Sequence, residues 1–103
     1  MRIVLTTVPD PATGEKLADG LVRSGLAACV QVMPMMTSVY VWEGKVQKEG
    51  EHLLLIKTLP EKWEQLHTFI SNHHPYDVPE MVAIDASRVS DPYLAWMKGV
   101  LGD

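Results

Sequence analysis

The middle of this chain carries apolar residues on both sides of its strands, and that constrains the fold more than any other feature. In the run Val39-Tyr40-Val41-Trp42, alternation places two valines on one face and two aromatics on the other. In Leu53-Leu54-Leu55-Ile56, Leu53 and Leu55 oppose Leu54 and Ile56. An antiparallel sheet with helices on one side and water on the other reads as apolar-in, polar-out. These strands therefore need cover on both faces. The chain has 103 residues, and two or three short helices cannot cover both. Further copies of the same chain are the expected cover.

The rest of the sequence supplies the helices. Residues 2–8 are rich in β-branched and aliphatic side chains and read as a buried strand. Asp10-Pro11 is a helix start, with aspartate as cap and proline in the first turn. Leu17, Ala18, Leu21 and Val22 follow at helical spacing, and Gly25 stands where a left-handed terminal residue belongs. Strands are expected from Ala27 to Met33 and from Thr37 to Trp42, with Pro34 breaking the run between them. Glu43-Gly44 marks a turn, and a further strand lies within Val46 to Thr58. Pro60 opens a second helix bearing Trp63, Leu66, Phe69 and Ile70, and residues 72–76 read as a loop. Met81 to Ile84 is another strand. Asp91-Pro92 repeats the capped helix start, with Tyr93, Trp96, Met97 and Val100 on one face. The order β-α-β-β-α-β plus a last helix is an α+β, ferredoxin-like split βαβ plan in one domain spanning residues 1–103.

Composition excludes several classes. Net charge is −4 and the lysines and arginines are scattered, which argues against nucleic acid as a partner. The single cysteine, Cys29, rules out a disulfide within the chain and points to a reducing, cytoplasmic setting. No apolar run reaches the length of a membrane span. There is no Ser/His/Asp set, Gly-rich phosphate loop or cofactor fingerprint, so no catalytic residues are assigned.

Several segments together resemble the CutA divalent-cation tolerance family. They are Leu26-Ala27-Ala28-Cys29-Val30, Thr37 to Gly44, Lys57-Thr58, His74-Pro75-Tyr76 with Pro79-Glu80, and Tyr93-Leu94-Ala95-Trp96. They stand in the family's order from about residue 3 to residue 100. The resemblance implies a homotrimer packed through its sheets, similar in architecture to PII-type signalling trimers. It also implies a role in tolerance or response to copper or another divalent cation, with His73 and His74 as the metal-binding pair. Some members add a first-strand cysteine; the matching residue here is Thr6, a poor copper ligand.

Imidazole suits copper, yet adjacent side chains before a proline point apart, so His73 and His74 need a further donor to close a site. The alternative is that His74 orders its loop by hydrogen bonding. Cys29 reads either as a small buried hydrophobe or as a thiol near a subunit junction. Met33, Met35 and Met36 either offer soft thioether donors or fill an irregular corner. Tyr40, Trp42, Lys57, Glu80, Tyr76 and Trp96 are candidates for an interface cleft. There Lys57 and Glu80 either hold a small ligand or form a structural ion pair. The competing functional readings are a metal-responsive binder, a PII-like small-molecule sensor, an enzyme with Lys57 and Glu80 as acid and base, and an assembly platform.

Overall fold

The structure, a computed structural model, describes residues 1–102. Its elements are β1 (Arg2–Val8), α1 (Pro11–Arg23), β2 (Cys29–Trp42), β3 (Lys45–Thr58), a 3₁₀ turn (Pro60–Lys62), α2 (Trp63–His73), β4 (Val82–Asp85) and α3 (Asp91–Leu101). The strands form one antiparallel sheet in the order β2-β3-β1-β4. This is the split βαβ topology expected from the order of elements.

The local signals act as the chemistry requires. The Asp10 carboxylate accepts the Thr13 backbone N–H at 2.7 Å, and Pro11 opens α1. Gly25 adopts φ +72° as the chain leaves α1. Glu43 and Gly44 both take positive φ, 51° and 77°, as a two-residue hairpin turn of type I′ needs.

Three expectations are corrected. Pro34 does not end a strand: β2 runs unbroken from Cys29 to Trp42, with an irregularity between Val32 and Met35. An edge strand tolerates a proline at a bulge because the missing N–H is not needed there. Two expected strands are therefore one. Pro60 opens only a 3₁₀ turn, and the α-helix after it runs to His73, so Asn72 and His73 are helical. Asp91 is the first residue of α3 rather than its cap; Ser90 stands at the cap and makes no side-chain cap bond.

The core lies between the sheet and the first two helices. Val4, Val8, Leu54 and Ile56 meet Leu17 and Leu21 of α1 and Leu66 and Ile70 of α2, all buried. Each such side chain contributes about 1.5–3 kcal/mol on leaving water. Gly14 lets α1 lie close on the sheet: a Cβ there would sit 3.1 Å from Val8 and 3.2 Å from Val32. A smaller cluster of Ala28, Leu59, Met97 and Leu101 holds α3.

The opposite sheet face is open. Cross-strand pairing brings Ile3, Leu5, Leu53, Leu55, Val82 and Ile84 onto it. Beyond His52, β1 has ended, and β2 and β3 continue alone as a two-stranded ribbon to the turn. Val39, Val41 and Val46 are 60–68% exposed on one side of this ribbon. Tyr40 and Trp42, 37% and 49% exposed, stand on the other. A two-stranded ribbon is marginal by itself in water. The apolar residues on both faces read from the sequence are therefore both present and uncovered in one chain.

Candidate functional site

The sequence candidates fall at three separate places. The first is the end of α2. His73 stacks on Phe69, with ring centroids 4.1 Å apart, and its Nδ1 lies 2.7 Å from the Phe69 carbonyl oxygen. A carbonyl only accepts, so Nδ1 carries the proton and Nε2 keeps the ring's lone pair. His74 has no lone pair to spare. Its Nδ1 accepts the Tyr76 N–H at 3.1 Å, and its Nε2 donates to the Thr7 carbonyl at 2.8 Å. This ties the loop after α2 to the end of β1. The two imidazoles do not converge as a chelating pair. Thr6 is fully buried in the core, so it offers an ion nothing at the surface. Among the described residues, no three His, Cys, Asp or Glu side chains gather as a metal cage.

The second place is a pocket where the loop after α2 meets the hairpin. It is lined by Tyr40, Trp42, Glu49, Pro75, Tyr76, Asp77 and Val78 and encloses about 380 Å³. Register places Tyr40 and Trp42 on the same ribbon face as Glu49 and Glu51. The Tyr76 hydroxyl donates to Glu51 Oε2 at 2.9 Å, and Glu51 is only 7% exposed. Burial, and then the hydrogen bond to Glu51, push the Tyr76 phenol well above its ordinary range, which keeps it a donor. Glu49, on the same ribbon face, raises the Tyr40 pKa as well.

The third place is the far end of the sheet. Cys29, half-buried, pairs directly with Lys57 across β2 and β3. The Lys57 ammonium stands 5.5 Å from the centre of the Tyr93 ring, a cation–π contact. Tyr93 also packs against Trp96, which is half-exposed. Glu80 and Lys57 form no ion pair with each other among the described residues. Within one chain, Tyr40 and Trp42 thus stand with Tyr76, and Lys57 with Cys29 and α3.

Glu49 and Glu51 were not singled out from the sequence. The signal for them was present in the turn. Pairing residues outward from Glu43-Gly44 sets 42 opposite 45, 40 opposite 47, 38 opposite 49 and 36 opposite 51.

With this geometry in place, comparison with known proteins is informative. The family model described as CutA1 divalent ion tolerance protein matches residues 2–100. The chain is 47% identical over 96 residues to the chloroplastic protein CutA of Arabidopsis thaliana, covering 93% of this chain and 53% of that one. It is 37% identical over 99 residues to the divalent-cation tolerance protein CutA of Pectobacterium atrosepticum, covering 96% and 90%. It thus spans about half the length of the chloroplastic plant relatives and most of the bacterial one. Among solved structures, the divalent cation tolerance protein of Thermus thermophilus superposes with a TM-score of 0.91 at 40% identity, covering 94% and 95% of the two chains. CutA1 from Oryza sativa gives 0.93 at 40% identity, covering 96% and 91%.

Proposed function

The chain belongs to the CutA1 divalent ion tolerance family, and from that premise we propose that it acts in divalent-cation tolerance as a cytoplasmic homotrimer. The observation that carries the assembly is the uncovered apolar surface on both sides of the hairpin and across the open sheet face. Large contiguous apolar patches on a water-exposed chain mark an interaction surface. A second copy presents the same strands, so the surface is self-complementary in chemistry.

Copper or another divalent cation is the ligand this reading assigns. His73 is the side chain for it, because its Nε2 lone pair is the imidazole donor at the loop after α2. His74 is the loop's anchor. One ring does not hold an ion tightly, so the remaining donors come from elsewhere in the assembly or from water. No reaction is assigned.

Sedimentation equilibrium at micromolar concentration tests the assembly, with the mass of three chains expected. The mass of a single, fully folded chain would overturn it. Calorimetric titration with Cu(II) tests the metal assignment. His73→Ala is expected to weaken binding at least tenfold with the assembly intact, and unchanged stoichiometry and affinity would remove His73 from the site. Subcellular fractionation tests the location, with recovery in the cytosolic fraction expected.

A further inference from the structure

The pocket between the hairpin and the loop after α2 has a chemistry that cation tolerance does not use. Its walls are aromatic: Trp42, Tyr40 and Tyr76. Its polar groups are acidic: Glu49 and Asp77 line it, and Glu51 lies behind Tyr76. The Tyr76 phenol already spends its proton inward on Glu51. The lining offers an occupant carboxylate lone pairs and ring faces, with the Trp42 indole N–H and the Tyr40 hydroxyl as side-chain donors.

Among the described residues, no ion pair answers these carboxylates. The pairs present join Arg2 to Asp85 and Arg23 to Asp19, both elsewhere. Glu51 is more than nine-tenths buried and receives one neutral O–H. A buried carboxylate ordinarily has a cation or several donors around it. The lining itself carries two carboxylates, Glu49 and Asp77, and no lysine or arginine, with Lys45 beside it across from Trp42, in a space of about 380 Å³. That is within the range of small-molecule sites.

These requirements select the occupant. Anions are repelled, so phosphates and nucleotides do not fit. A hard metal ion needs about six oxygen donors around it, and this lining sets three aromatic rings, Pro75 and Val78 beside its two carboxylates. A quaternary ammonium would suit the rings and leave the carboxylate lone pairs unanswered. A guanidinium or primary ammonium group answers both, with its N–H donors on the carboxylates and its charge over Trp42.

We propose that this pocket binds an organic cation bearing N–H donors, a guanidinium or primary ammonium group on a small aliphatic body. The cation comes either from a free small molecule or from an arginine or lysine of a neighbouring copy. The proposal does not rest on the metal assignment.

Agmatine is the probe, titrated into the full chain in its native assembly, with Trp fluorescence and calorimetry as readouts and sedimentation run in parallel. Saturable binding with Glu49→Gln and Trp42→Leu each weakening it at least tenfold is expected, while Glu15→Gln, on α1, binds as the wild type does. Butyrate, of similar size and opposite charge, should not bind. If agmatine binds and the assembly's mass holds, the natural occupant is a free molecule. If agmatine, or Glu49→Gln alone, lowers that mass, the occupant is a neighbour's side chain. Circular dichroism melts confirm that the variants are folded. The proposal is overturned if agmatine shows no saturable binding and Glu49→Gln leaves the mass unchanged. Binding that ignores both pocket substitutions overturns it equally.

Discussion

Two threonines on the helix-covered side of the sheet make a controlled experiment. Thr58 in β3 and Thr6 in β1 are both fully buried. The Thr58 hydroxyl donates to the Leu26 carbonyl at 2.7 Å, joining β3 to the chain entering β2. The Thr6 hydroxyl has no partner among the described residues. Replacing either residue by valine keeps the shape and the β-branching and exchanges only a hydroxyl for a methyl. At Thr58 the exchange removes a buried hydrogen bond and strands the Leu26 carbonyl, a loss of about 1–3 kcal/mol. The added methyl returns part of this at about 0.8 kcal/mol per buried carbon. The net expectation is a destabilisation of about 1–2 kcal/mol. At Thr6 the cost of burying an unpaired hydroxyl is already being borne, so valine removes it and stabilises the fold by about 1 kcal/mol. For a chain of this size a change of about 1 kcal/mol moves Tm by roughly 4–8 °C. The assay is thermal and guanidinium unfolding of wild type, Thr58→Val and Thr6→Val. All three are held at one chain concentration, because an assembling protein melts at a concentration-dependent temperature. Thr58→Val should melt below wild type and Thr6→Val above it. Shifts of the same sign would refute the argument that the partner of the hydroxyl, rather than its burial, decides the outcome.

Three further substitutions probe other parts of the structure. Glu43→Asn should raise stability by about 0.5–1 kcal/mol, because asparagine tolerates the positive φ at the first turn position better than glutamate does; an unchanged or lowered Tm counts against this. Asp10→Ala should lower Tm at neutral pH. The Thr13 hydrogen bonds hold the Asp10 pKa below its ordinary value, so its stabilisation is full above the ordinary carboxylate range and disappears as pH falls through the depressed value. The Tm gap between variant and wild type should therefore close at low pH, and a constant gap would contradict the cap's role. His74→Leu removes the bond that ties the loop after α2 to β1 and the bond that closes the loop on the Tyr76 N–H. Hydrogen exchange over residues 74–80 should accelerate while β3 stays protected, and unaltered exchange in the loop would show that His74 does not anchor it.

Much of the architecture was legible because its signals are local. The Asp10-Pro11 cap, the Glu43-Gly44 turn and the period of Leu17, Leu21, Leu66 and Ile70 each act within a few residues. The misreadings also have local causes. Pro34 looked like a strand break because a proline costs one N–H in any strand, and only the sheet order reveals that β2 is an edge that can spare it. Asp91 looked like a cap because Asp-Pro is a cap signature, yet the helix takes Asp91 into its first turn.

The site candidates were legible as residue types. Tyr40, Trp42, Lys57 and Glu80 are expected at a cleft between subunits; within one chain, β3 is long enough to put Lys57 and the hairpin residues at opposite ends of the sheet. His73 and His74 are neighbours in the chain, and the helix end turns one ring onto Phe69 and the other onto β1.

By itself the sequence determined the order of elements, the turn that sets the hairpin's register and the presence of apolar side chains on both faces of the central strands. These follow from backbone preferences and from the period of a strand, which need no distant partner. Only the tertiary structure decided which buried hydroxyl finds a carbonyl, which imidazole nitrogen keeps a lone pair, and which carboxylates meet the aromatics. The Thr58–Leu26, His74–Thr7 and Tyr76–Glu51 bonds each bring together groups at least 25 residues apart to about 3 Å, a distance at which hydrogen bonds are made or lost.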